Sequence, residues 1–125
     1  MHILLAEDDP NISTIAIMAL EHVGGHKVTH VDNGKAALDE ACTENYDLIL
    51  LDQMMPIMNG LNVCKEYKAK EGSNTPVIFL SAKCHVDEIN AFKNMGLGYI
   101  QKPFDPATLS QLIDEILATQ EDKSA

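Results

Sequence analysis

The sequence contains no tryptophan and few aromatic residues of any kind, 5% in all. A core without large rings has to be filled by aliphatic side chains and methionine. Positive charge is also scarce: 9 Lys and Arg stand against 19 Asp and Glu, for a formal net charge of −10. That balance argues against direct binding to nucleic acid or to an anionic membrane surface, and it leaves room for a bound cation and for partners with basic surfaces. Cysteine is sparse and unpatterned. Cys42, Cys64 and Cys84 are odd in number, far apart and without CxxC or His/Cys ligand spacing, so unpaired thiols in a reducing compartment are expected. No basic segment with a long apolar core precedes Glu7-Asp8-Asp9, and no signal peptide is expected. No run approaches the roughly 18 apolar residues of a membrane-spanning helix. The cytoplasm is the expected location. Internal repeats and low-complexity tracts are absent. A length of 125 residues is most simply one domain, large enough to bury about two-thirds of its unfolded surface without staples.

What the chain does have is a series of short apolar runs, each ending in a polar residue. The most telling is Leu48-Ile49-Leu50-Leu51, which runs straight into Asp52. A continuous apolar run of this length reads as a strand buried on both faces of a parallel sheet. His2 to Ala6 is a similar short strand ending at Glu7-Asp8-Asp9. Asp9-Pro10 then starts a helix, Asp as the cap and Pro in the first turn. Ile12, Ile15, Ala16, Ala19, Leu20 and Val23 share one face of that helix, and Gly24-Gly25 stops it. Lys27 to Val31 alternates and is β-branched, as expected of a strand nearer an edge. After the Asp32-Asn33-Gly34 turn, Lys35 to Glu44 reads as a short helix.

Beyond Asp52, residues Pro56 to Gly60 form a loop and Leu61 to Lys70 a moderately amphipathic helix. Val77 to Leu80 is another buried strand, ending at Ser81. Val86 to Met95 is a helix closed by Gly96 and Gly98. Tyr99 to Gln101 is a short last strand followed by Lys102-Pro103. Asp105-Pro106 repeats the cap-and-proline start, and Leu109, Leu112, Ile113, Ile116 and Leu117 make the inner face of the final helix. Gln120 to Ala125 is polar and expected to fray. Strand and helix alternate five times, which predicts parallel strands with right-handed crossovers and helices on both faces.

If the strands are parallel, their C-terminal ends meet at one edge, where ligands bind in open α/β sheets. Glu7 and Asp8 follow the first strand, Asp52 the third, Ser81 the fourth and Lys102 the fifth. Carboxylates this close cannot all stay ionised without compensation. Mg²⁺ supplies it as a hard cation held by carboxylates, water and phosphate oxygens. A lysine at the same edge faces an incoming anion, and a hydroxyl donates to a phosphoryl oxygen. A carboxylate so surrounded is equipped to accept a phosphoryl group. Taken singly, each residue has a plainer reading: Asp52 as a turn or cap, Ser81 as a strand end, Lys102 as a surface lysine and Tyr99 as an ordinary half-buried aromatic. It is their coincidence at strand ends that favours chemistry.

The motifs Ile3-Leu4-Leu5-Ala6-Glu7-Asp8-Asp9, Leu50-Leu51-Asp52-Gln53-Met54-Met55-Pro56 with Gly60, Phe79-Leu80-Ser81-Ala82 and Gly98-Tyr99-Ile100-Gln101-Lys102-Pro103-Phe104 occur in that order. With them the chain resembles, over residues 2 to 119, the response-regulator receiver domains of two-component signalling, the chemotaxis-regulator type among them. The resemblance implies a flavodoxin-like doubly wound (βα)5 fold with strand order 2-1-3-4-5, residues 1–120 forming the domain and 121–125 a polar tail. It implies Asp52 as phosphoacceptor. Glu7 and Asp8 would position Mg²⁺, Asp8 directly and Glu7 through water, with the Met54 carbonyl as third protein ligand beside Asp52. It further implies Ser81 as the hydroxyl that moves to the phosphoryl group, Lys102 as the lysine paired with Asp52 or its phosphate, Tyr99 as an aromatic switch, and a cis Lys102-Pro103 peptide. Ser at position 81 stands where Thr is commoner, which keeps the hydroxyl and removes a methyl. Gln53, Met54 and Lys83 flank the acceptor and are expected to tune hydrolysis.

The function expected from this likeness is phosphorelay signalling rather than enzymatic turnover of a separate substrate. A histidine kinase or histidine phosphotransferase would phosphorylate Asp52, and the change would reach a protein target through the face formed by the fourth helix, fifth strand and fifth helix. Met1 nearly abuts the first strand and no effector domain is visible, so a standalone receiver is expected. Thr108 to Thr119 lacks Arg and Lys, and Leu97-Gly98 replaces an acidic pair before Tyr99, so a monomer, or a weak dimer by another surface, is expected. A phosphohydrolase of the haloacid-dehalogenase style would carry a second Asp where Met54 stands. A nucleotide binder would carry a GxxxxGK[ST] or GxGxxG loop, and neither occurs. His22, His26 and His30 are spaced by four, but Gly24-Gly25 breaks the helix between them, so no metal site is expected there. Cys84-His85 reads as ordinary loop or helix-start residues.

Overall fold

Apolar runs of four or five residues are too short to make helices that bury both sides, and here they become the strands of one sheet. The computed structural model describes residues 1–70, 72–82 and 86–124, with side chains described as far as residue 118. Strands β1 (His2–Ala6), β2 (Lys27–Val31), β3 (Leu48–Asp52), β4 (Val77–Ser81) and β5 (Gly98–Gln101) pair in the order β2-β1-β3-β4-β5. Every pairing is parallel, and the register sets Ala6 beside Val31 and Leu51, and Asp52 beside Leu80. This is the expected flavodoxin-like order.

The connecting helices are α1 (Pro10–Met18), α2 (Gly34–Thr43), α3 (Gly60–Lys68), α4 (Val86–Met95) and α5 (Leu109–Ser124). They divide between the two sheet faces according to strand alternation. Leu48 and Leu50 turn towards Ala16, Leu20, Leu109 and Ile113 of α1, its extension and α5. Ile49 and Leu51 turn the other way, towards Ala37 of α2, Val63 of α3 and Phe92 of α4. Both central strands, β3 and β4, are buried along their full length, as continuous apolar runs require, whereas edge strand β2 is partly exposed throughout. The scarcity of rings leaves few aromatic contacts. Phe79 stacks on Phe92 at 4.8 Å, and Tyr99 lies tilted 5.9 Å beyond it.

Several boundaries differ from expectation. Asp9 caps α1 as read, its carboxylate accepting from Asn11 N at 2.9 Å with Pro10 opening the helix. The helix does not stay regular to Val23. Ala19–Val23 widens into a π-helical turn, with Gly24 N reaching back to Ala19 O. Val23, at the end of this turn, is therefore exposed; Ile15, also expected inside, is exposed in the regular part of α1, where Ser13 is buried. Asp105-Pro106 opens a turn rather than the helix. Ala107 N donates to Asp105 Oδ1 at 2.9 Å, and α5 proper begins at Leu109. Leu112 is exposed rather than inward. At its far end α5 runs to Ser124, into the stretch expected as a polar tail. Lys83, Cys84 and His85 lie outside the described residues. Cys64 is buried and its thiol is pushed up to about 11 by burial, so it is packing rather than chemistry, and Cys42 is an exposed thiol.

Candidate functional site

Five parallel strands deliver their C-terminal ends to one edge, and the polar residues singled out above meet there. Glu7 follows β1 directly and is fully buried, while Asp8, next in the chain, is exposed. Asp52, the last residue of β3, is 2% exposed, and Ser81, the last residue of β4, is also buried. Lys102 follows β5, and its backbone N–H donates to Ser81 O at 2.8 Å. The Lys102-Pro103 peptide is cis, as the likeness implied.

The lysine connects the two buried carboxylates. Its Nζ donates to Glu7 Oε1 at 2.8 Å and to Asp52 Oδ1 at 2.8 Å, with its side chain 10% exposed. From sequence, Lys102 was paired with Asp52 alone, and the second partner, Glu7, could not be foreseen from strand-end position. Glu7 is further held by Asp9 N, which donates to Oε2 at 3.3 Å. The ring of His30 donates to the Glu7 carbonyl at 2.8 Å. His26 lies against the N-terminal amine, 3.1 Å from it, so the histidines spaced by four are spent separately.

The electrostatics are unbalanced. Two buried carboxylates share one ammonium, leaving the cluster one positive charge short. Burial, and then Glu7, push the Asp52 carboxyl up from 3.8 to about 7, with Lys102 pulling it back. Burial alone would lower the Lys102 ammonium, but its hydrogen bonds to the Asp52 and Glu7 carboxylates outweigh it and raise the group above its ordinary 10.5. Carboxylate oxygens of Glu7, Asp8 and Asp52 lie within 4.8 Å of one another, the one such acidic group among the described residues. Hard oxygen donors, two buried and one open to solvent, with a missing positive charge, fit a divalent cation such as Mg²⁺. Met54 is 78% exposed, so only its backbone is available to the cluster. Tyr99 sits half-buried on β5, away from the carboxylates and against Phe92.

Residues 3–114 match the response regulator receiver domain family. The chain belongs to that family. Among curated relatives, the receiver sequence is 36% identical over 123 residues to the response regulator ArlR of Staphylococcus epidermidis, covering 98% of this chain and 55% of that protein. It is likewise 36% identical over 122 residues to the ArlR of Staphylococcus aureus, covering 97% and 54%. The chain thus spans about half the length of the curated relatives it matches. A sensor histidine kinase of Pseudomonas aeruginosa has a receiver domain solved with a magnesium ion in its active site cleft. It superposes with a TM-score of 0.82 at 30% identity, over 94% of this chain and 97% of that one. The chemotaxis protein CheY4 of Vibrio cholerae superposes with a TM-score of 0.82 at 25% identity, over 92% and 97%. Receiver domains of this family act in two-component signalling with histidine kinases and downstream targets, and the acidic cluster of Glu7, Asp8 and Asp52 is consistent with their Mg²⁺ site. No described helix is long and apolar enough to cross a membrane.

Two features near the receiver's site go beyond the sequence reading, in which Gln53 was only a flank of the acceptor expected to tune hydrolysis. One is an apolar groove of about 280 Å³ beside Lys102, lined by Ile12, Ile15, Ala82, Pro103 and Phe104. Exposed Ile15 belongs to it, which is why the simple inner-face reading of α1 failed. The other is Gln53, whose side-chain Oε1 accepts from Leu61 N at 2.9 Å in the first turn of α3.

Proposed function

We propose that Asp52 accepts a phosphoryl group from a phosphohistidine of a histidine kinase or histidine phosphotransferase, in a Mg²⁺-dependent reaction, and that the resulting aspartyl phosphate switches binding to a protein target. An Asp52 carboxylate oxygen attacks phosphorus, the P–N bond to the donor imidazole breaks, and the imidazole takes up a proton. The observation that carries the reading is the pairing of buried Asp52 with buried Glu7 through one lysine. A preorganised ammonium already at 2.8 Å from the acceptor is placed to meet the charge of an incoming phosphoryl group. Asp8, Asp52 and the Met54 carbonyl, with Glu7 behind them, would hold Mg²⁺, which supplies charge neutralisation to the phosphoryl oxygens. Ser81 supplies a hydroxyl from the neighbouring strand end.

The groove beside Lys102 offers an apolar seat for the donor protein, next to the acceptor and open on the α1 side. On the other side of Pro103 and Phe104, which line both, Tyr99, Ile100, Leu112 and Ile116 line a second groove of about 410 Å³ between β5 and α5, which supports the β5 and α5 part of the expected target face. The domain turns over no separate substrate in this reading, promotes only its own phosphorylation and dephosphorylation, works in the cytoplasm and is a monomer. The direct test is incubation with a small acyl phosphate and Mg²⁺. Wild type is expected to take up one phosphoryl group per chain and Asp52→Ala none. Absence of uptake by wild type, or equal uptake by the variant, refutes the reading.

A further inference from the structure

The strand-end carboxylates are rigidly mounted, but Met54 sits on the loop between Asp52 and α3, where mobility would be expected. That loop is tied at both ends. Gln53 N donates to Leu80 O at 3.0 Å, fixing the loop's origin to β4. Gly60 N donates to Gln53 O at 3.1 Å, and Leu61 N donates to Gln53 Oε1 at 2.9 Å. The next amide, Asn62 N, is capped by Asn59 Oδ1 at 2.9 Å. Gln53 therefore satisfies two of the orphan donors at the N-terminus of α3, one with its backbone and one with its side chain. Gly60 permits the close approach: a Cβ there would fall 2.7 Å from the Asp52 carbonyl oxygen.

Between these ties the backbone is strained. Ile57 has φ 73, a left-handed conformation in a β-branched residue, and Met58 N donates to Pro56 O at 2.8 Å to close a tight turn around it. Such a conformation persists only where its surroundings impose it. Gln53, tied to Gly60 and Leu61, and Pro56 O, accepting from Gly34 N at 3.3 Å, hold the chain on either side of it. The loop from Gln53 to Gly60 is thus a closed strap with the Met54 backbone inside it.

From this we infer that Gln53 is a positioning residue for the cation site: its side chain, by staying on Leu61 N–H, holds in place the loop that presents the Met54 carbonyl. The inference rests on the proposed function in so far as Met54 is a ligand. Residues that orient metal ligands without touching the metal change affinity by about tenfold or more when removed.

The test is calorimetric titration of the full chain with MgCl₂ alone, together with thermal unfolding in chelator. Gln53→Met keeps the volume and removes the acceptor; it is expected to bind Mg²⁺ about tenfold more weakly than wild type. Gln53→Glu keeps an acceptor for Leu61 N–H and is expected to bind at least as tightly as wild type. Tyr46→Phe, which removes the hydrogen bond to Glu40 at the far edge of the sheet, serves as the stability control and is expected to leave Mg²⁺ binding unchanged. Gln53→Ser, too short to reach Leu61, replaces the Met variant should that one not fold. Gln53→Met within twofold of wild type overturns the inference, as does a Gln53→Glu as weak as Gln53→Met, or an equal loss in Tyr46→Phe. A wild type that binds no Mg²⁺ removes the proposed function along with it, whereas a binding wild type with an unaffected Gln53→Met removes the positioning role alone.

Discussion

The two edges of the sheet are built from similar residue types to opposite ends. At the N-terminal edge the polar groups pair off with one another. His2 N donates to Asp47 Oδ2 and Asp47 N to His2 O, each at 2.8 Å. Thr75 Oγ1 donates to Tyr46 O at 3.1 Å, Thr75 N to Tyr67 Oη at 3.2 Å, and Tyr46 Oη to Glu40 at 2.7 Å. Burial, and then the Glu40 carboxylate, raise the Tyr46 hydroxyl to about 12, so it stays a neutral donor. At the C-terminal edge two buried carboxylates compete for one lysine and Asp52 is pushed up to about 7. One edge is finished and serves stability. The other is left short of a charge, and that shortage is what a cation and a phosphoryl group can act upon.

The contrast is broken most severely by removing the acceptor. Asp52→Ala is expected to abolish phosphoryl uptake, to below about one part in a hundred of wild type, as a nucleophile's removal does. Radiolabel or intact-mass measurement reads this directly. Next comes Lys102→Met. It leaves Glu7 and Asp52 buried without their cation, and breaking a buried pair from one side costs about 3–5 kcal/mol. Denaturant unfolding in chelator is expected to show that loss, and added Mg²⁺ to restore part of it, a recovery the wild type shows to a smaller degree.

The pH dependence of metal-free stability comes third. The folded Asp52 carboxyl lies at about 7 against an ordinary 3.8, so in that interval the folded state binds more protons than the unfolded one. Its contribution is present below the unfolded value and falls as pH rises towards about 7, by at most about 4 kcal/mol at 1.36 kcal/mol per pH unit. Asp52→Asn is expected to flatten this slope and to be the more stable protein at pH 8. Mg²⁺, which competes with the proton, is expected to bind more weakly at pH 6 than at pH 8. The smallest effect belongs to the finished edge: Tyr46→Phe is expected to lose about 1 kcal/mol, the worth of one hydrogen bond, with phosphoryl uptake unchanged.

The residues proposed for the acceptor chemistry were legible because they sit where apolar runs stop. Leu48 to Leu51 could only be a doubly buried strand, and a carboxylate at its end had to lie at the sheet edge. Glu7, Ser81 and Lys102 followed by the same logic, and strand order followed from the family likeness. What escaped was set by side-chain reach across elements. The sharing of Lys102 between Glu7 and Asp52, the hold of Gln53 on Leu61 and the groove under Phe104 depend on contacts between residues far apart in sequence. The start of α5 was misplaced because Asp105-Pro106 serves equally well for a turn. The inner face of α1 was misdrawn at Val23, where a π-turn shifts the register that a period of 3.6 does not anticipate, and at Ile15, which lines the groove beside Lys102.

The ion pair between Lys102 and Glu7 spans 95 residues of chain. Neither end of the domain possesses the site on its own: the first strand contributes one jaw and the last strand the other. A chain ending before Lys102 would carry Asp52 and Glu7 without the ammonium that joins them, and in the proposed function its cation binding would report on completion. Closing a loop of that length also carries a larger chain-entropy cost than a local contact does. In the proposed function, signalling competence therefore requires both ends of the fold to be in place.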